Sequence, residues 1–183
     1  MPRDSAWKNA DGLVVGFGTR SDDNLQAVKL PGSGSEHELR FRITDMTALG
    51  TDATAGTGIY APQYTAQAVK IPANATVQEV RVITDTAATS SGAADLLIGL
   101  YTVSAAHAVS AVDADGLAAA ADSALTDFSA AGETIVLAKG SNAAYVGKKQ
   151  VGTSDVIVLA TYATAAYTAG AVTVNIKYTV DAP

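Results

Sequence analysis

The chain contains no cysteine. That excludes disulfides, thiolate zinc ligands and cysteine nucleophiles together. Charge is scarce as well: 16% of the 183 residues are Asp, Glu, Lys or Arg, and 18 acids against 12 bases leave a net charge of −6. No Lys or Arg occurs between Arg81 and Lys139, whereas Asp85, Asp95, Asp113, Asp115, Asp122, Asp127 and Glu133 all fall there. A surface of that sign repels phosphate backbones, so no nucleic-acid partner is expected. No apolar run approaches the ~18 residues of a membrane span, and the opening MPRDSAWKNADG is polar. Neither a membrane partner nor an export signal is therefore expected. What remains is rich in Ala, Gly, Thr, Ser and Val. Such small, β-tolerant residues suit a sheet protein with closely covered surfaces, and a chain of this length can bury roughly 70% of its unfolded surface as one domain.

One phrase is written twice. Residues 26–31 read QAVKLP and residues 67–72 read QAVKIP, and the likeness extends over 26–45 and 67–85. Each copy places a glutamate after its proline, Glu38 and Glu79, continues apolar-Arg-apolar, and closes on Ile-Thr-Asp; the first copy has one extra residue, Arg42. Period-two alternation puts Leu39, Phe41 and Ile43 on one face with Arg40 and Arg42 on the other, and likewise Val80 and Val82 against Arg81. Pro31 to Ser35 and Pro72 to Ala75 supply turns. The repeat thus reads as a strand–turn–strand unit used twice, whose copies are expected to pair or pack together.

Further strands are expected over 95–103, 133–138, 156–162 and 171–180. In the last of these Val172, Val174, Ile176, Tyr178 and Val180 alternate with polar residues. Residues 113–125, DADGLAAAADSAL, hold helix formers behind a capping Asp and predict a short helix or helical turn. Residues 1–24 read as an extended N-terminal arm. Residues 25–183 read as a single all-β domain, a β-sandwich or jelly roll with at most one short helix.

No stretch carries a recognisable reaction. His37 sits beside Glu36 and Glu38 in what reads as a turn, His107 lies in an Ala/Ser/Val stretch, and no G-x-S-x-G sequence accompanies them. Asp113-Ala-Asp115-Gly116 resembles the start of a calcium loop but lacks the third acid and the closing Glu. The glycines Gly16, Gly18, Gly32 and Gly34 do not have nucleotide-loop spacing. Asn74-Ala-Thr76 matches a glycosylation sequon, and Lys148-Lys149 reads as a solvated basic step. Tyr162 and Tyr178 fall within strands and are expected in the core, whereas Tyr60 and Tyr64 flank Pro62 in a Gly/Thr/Ala-rich connection and are better placed to touch a partner. Accordingly no enzymatic activity, no cofactor and no metal are expected.

The segment WKNADGLVVGFGTR (7–20), the run VKIPANATVQEVRVITDTAAT with DLLIGLYTV, and the ending TAGAVTVNIKYTV (168–180) resemble small virion structural proteins of tailed bacteriophages. The resemblance implies a head decoration, or cement, protein on the capsid exterior, made in the host cytoplasm, with the major capsid protein as partner. A head-fibre or tail-fibre component that binds a receptor or glycan is the alternative it leaves open. It makes the arm the capsid-contact element, with Trp7, Leu13, Val15, Phe17 and Arg20 as candidate contacts beside Tyr60 and Tyr64. Closed symmetry is usual for soluble oligomers and threefold positions recur between capsomers, so a homotrimer is expected. The acidic stretch from Asp85 to Glu133 is expected to face solvent.

Overall fold

Glu36–Ile43 alternates without a break: Glu36, Glu38, Arg40 and Arg42 are exposed, while His37, Leu39, Phe41 and Ile43 are buried. That is the pattern of a strand with one wet face and one packed face. In the computed structural model, which describes residues 6–8, 14–16, 36–51, 69–104 and 109–180, it is β3. A short ladder precedes it, in which β1 (Ala6–Lys8) pairs antiparallel with β2 (Val14–Gly16). The others are β4 (Lys70–Ile71), β5 (Ala75–Ser90), β6 (Asp95–Val103), β7 (Val109–Ala118), β8 (Thr134–Leu137), β9 (Val156–Ala163) and β10 (Tyr167–Val180).

From β3 onward the strands form two four-stranded antiparallel sheets, ordered β3-β10-β5-β8 and β4-β9-β6-β7. The first of these strands pairs with the last, the second with the second-last, and so inward to β6 with β7. A long hairpin rolled up on itself gives this pairing. The domain is therefore all-β, and its topology is that of an eight-stranded jelly roll. The two inner faces share one core, with Leu39, Phe41, Val80, Val82, Val174 and Ile176 from one sheet meeting Leu96, Ile98, Leu100, Val156 and Val158 from the other. Tyr178 is buried as expected, and Tyr162 packs partly buried against the same core.

The repeat lands in two equivalent places. β3 and β5 do not pair with each other, contrary to one expectation; β10 runs between them and pairs with both. The register preserves the repeat across β10. Glu38, Lys177 and Glu79 form one row, Leu39, Ile176 and Val80 the next, then Arg40, Asn175 and Arg81, then Phe41, Val174 and Val82. The extra Arg42 ends the correspondence. A one-residue slip turns a strand's side chains over, so Ile43 is buried in the core whereas Ile83 lies on the opposite face and Thr84 takes the inward place. In the second copy the turn at Ala73-Asn74 joins β4 to β5, which belong to different sheets, so it is a corner of the sandwich rather than a hairpin. Asn74 has φ of 59° there, a left-handed conformation that Asn tolerates. The first copy's Val28 and Leu30 lie outside the described residues.

Of the short helix or helical turn expected over 113–125, only helical turns form. β7 continues to Ala118, and the helical character shrinks to 3-10 turns at Ala120–Asp122 and Leu125–Phe128. Three consecutive residues, Leu117, Ala118 and Ala119, are buried, which one face of a helix cannot achieve. Packing here overrides the helical propensity of the alanines. Ladder contacts hold Asp113 to Leu100 and Ala118 to Ile98, and the slack between them bulges over Gly99. A Cβ on Gly99 would collide with the Ala114 backbone. The Ser123 hydroxyl then closes the turn by donating to the carbonyls of Leu96 and Ala119.

Candidate functional site

The outer face of the β3-β10-β5 sheet concentrates the charge that the strands carry. Glu36, Glu38, Arg40 and Arg42 on β3, Lys177 on β10, and Glu79 and Arg81 on β5 all point away from the core. The Arg42 Nε donates to Asp85 Oδ2 at 2.8 Å, and the Thr173 hydroxyl donates to the same oxygen at 2.8 Å. Asp85 reaches both because it sits in a β-bulge: Val172 lies opposite Thr84 and Ala171 opposite Thr86, which leaves Asp85 unopposed. Weaker pairs join Arg81 to Glu79 at 3.3 Å and Lys177 to Glu36 at 3.5 Å. Within this face the Asn175 Oδ1 is buried without a hydrogen-bond partner.

Residues singled out from the sequence fall in several places. His37 does not occupy a turn; it is inside β3, its ring stacked on Tyr178 of β10 with centroids 5.3 Å apart. Buried imidazole against a phenol ring is a packing arrangement. Asp113 and Asp115 lie on β7, where the hydrogen bond that a protonated Asp115 donates to Asp113, burial and the Asp113 charge together hold the Asp115 carboxyl above the usual range. Two carboxyls are too few for a calcium loop, and no cluster of three His, Cys, Asp or Glu occurs among the described residues. Lys148 and Lys149 are exposed yet tied down. The Lys148 Nζ donates to the Ser141 carbonyl at 2.6 Å, and the Lys149 Nζ stands 4.0 Å from the centre of the Tyr145 ring.

The candidate contacts of the arm are only partly described. Trp7 on β1 lies opposite Val15 on β2 in the backbone register. Leu13, Phe17, Arg20, Tyr60 and Tyr64 lie outside the described residues, as does His107.

Three acids from the stretch without bases are built into turns. Asp122 accepts from the backbone N–H of Asn142 and Ala143 and from the Asn142 amide, Asp127 accepts from the Ala124 N–H, and Glu133 from the Ala130 N–H. Asp45 caps the Met46–Ala48 turn, and its bonds from the Thr47 hydroxyl and N–H hold its carboxyl below the usual range. Asp-x-Thr at 45–47 was a legible capping signal; the long-range partners of Asp85 and Asp122 had none.

No family model and no curated protein matches the chain. Among solved structures the fold is similar to a chain in the capsid of Ralstonia phage GP4, with a TM-score of 0.55 and 18% identity over 87% of this chain and 93% of that one. A chain of the cyanophage Pam1 capsid asymmetric unit aligns over 98% of this chain at 17% identity, with a TM-score of only 0.37. At these identities the first likeness is one of fold.

Proposed function

We propose that the chain is a structural protein of a tailed-phage virion, a head decoration protein that binds the outside of the capsid and bridges neighbouring capsomers. The observation that carries this reading is the fold likeness to a phage capsid chain over nearly the full length of both. The architecture supports it: a jelly roll with short edge strands on offer, preceded by a polar segment with its own small ladder. In this reading residues 1–24 are the anchor and the major capsid protein is the partner. Repetition over a lattice adds avidity to a modest single contact. The chain acts as a homotrimer, matching the threefold positions of the shell, and performs no catalysis.

The test is a binding experiment on purified shells. The full chain is expected to saturate mature shells and to raise their unfolding temperature by mass action. A chain lacking residues 1–24 is expected to keep the β-rich circular dichroism spectrum and to lose shell binding. Full occupancy by the truncated chain would remove the arm as anchor. Binding to glycans instead of shells would favour a fibre component.

A further inference from the structure

We propose that the outer face of the β3-β10-β5 sheet is a self-complementary contact surface, and that its partner is the same face of a second copy of this chain. The repeat is the reason. Because β10 holds both copies in one register, the sequence Glu-apolar-Arg is presented twice on the same face, Glu38 and Arg40 on one side of β10, Glu79 and Arg81 on the other. The two lines lie two strand spacings apart, about 10 Å. Charge is thereby sorted along the strands. Towards one end Glu36, Glu38 and Glu79 share the face with Lys177, three carboxylates and one ammonium; towards the other Arg40, Arg42 and Arg81 share it with Asp85, three guanidiniums and one carboxylate. The halves therefore carry −2 and +2.

A patch split in this way is complementary to its own copy turned over about a twofold axis that runs across the strands between the glutamate and arginine rows. Each residue then faces its counterpart in the neighbouring row: Glu38 meets Arg40 of the second copy, Glu79 meets its Arg81, and both contacts recur by symmetry. Such an isologous interface joins faces only in pairs and is a contact separate from the threefold one proposed on the shell. A solvated face has no need to sort its charges by row.

Three strands by about eight residues present roughly 400 Å² per copy, about half of what a stable interface buries per partner. The contact is therefore weak in free solution and sensitive to salt. It becomes useful where copies are already held side by side. The inference does not depend on the phage reading, since it is tested with the purified protein alone.

Sedimentation velocity on the full chain decides it. At about 20 mM salt the apparent mass is expected to approach twice its dilute value as concentration rises to several hundred micromolar, and to lose that rise at about 0.5 M salt, where the Debye length falls to a few ångströms. Glu38→Lys with Glu79→Lys, and separately Arg40→Glu with Arg81→Glu, are each expected to abolish the doubling. An equal mixture of the two variants is expected to restore it, at least tenfold more strongly than either alone. A wild-type mass independent of salt and concentration overturns the proposal without any variant. So does a mixture that behaves as the sum of its parts.

Discussion

Asp115 is a carboxyl whose neighbour Asp113 makes its charged form unfavourable, and this gives a pH dependence of definite sign. With its folded-state value raised, the native chain holds a proton that the unfolded chain has released. Its unfavourable contribution therefore grows as pH rises from the ordinary carboxylate range through the raised value, and is absent in stronger acid. Asp115→Asn is expected to raise the thermal midpoint at pH 7 and to change it little below about pH 3.5, the lower edge of the ordinary range. An equal shift at both pH values would contradict this. Asp45 behaves oppositely: the Thr47 bonds favour its carboxylate, so the stability it contributes is present at neutral pH and is lost as pH falls through its lowered value. Gly99 provides a steric case. A methyl group there meets the Ala114 backbone in the bulge of β7, so Gly99→Ala is expected to cost about 1–3 kcal/mol in denaturant unfolding, by overpacking. A change under about 0.5 kcal/mol would show that the bulge gives way, as at an ordinary surface site. The spacings Asp45-x-Thr47 and Asp113-x-Asp115 are local and stand in the sequence, whereas Gly99 meets the Ala114 backbone only through a long-range ladder with a bulge in it.

Strands with one wet face declared themselves. Glu36–Ile43 and the second half of β10 alternate in sequence as they alternate in burial, since a residue beside water and its neighbour in the core are under opposite demands. Asp95–Val103, buried on much of both faces, was legible instead by its apolar density, and its two ends agree with the expectation. The alanine-rich stretch 113–125 misled because alanine suits a helix intrinsically yet also fits a close-packed strand end. The relation between the repeat copies was hidden for a different reason: the strand that separates them, β10, lies roughly a hundred residues further along the chain and carries no copy of the phrase. β10 is accordingly the element on which the first sheet depends. Ile176, fully buried between Leu39 and Val80, is expected to cost about 2–5 kcal/mol on truncation to Ala, measured by denaturant unfolding. The exposed Val136, on the short edge strand β8, serves as the control, with an expected change within about 0.5 kcal/mol for Val136→Ala.

At the scale of the whole molecule, fold class followed from alternation and turn residues, whereas the pairing order of the jelly roll needed the structure, since many sandwich topologies share one strand list. The acidic interval 85–133 also changes meaning at this scale. Asp85 is fastened to Arg42, and Asp122, Asp127 and Glu133 to backbone N–H groups. Asp115 and Asp127 are exposed and Asp85, Asp95, Asp113, Asp122 and Glu133 half-buried, so the interval faces solvent in part. Function rests on where this molecule sits in a particle. Electron cryomicroscopy of virions assembled with and without this chain measures that directly. The account predicts difference density over the outer surface of the head, repeated at local threefold positions between capsomers, with each unit built from three jelly rolls. Difference density confined to the tail or its fibres, with an unchanged head, would contradict it.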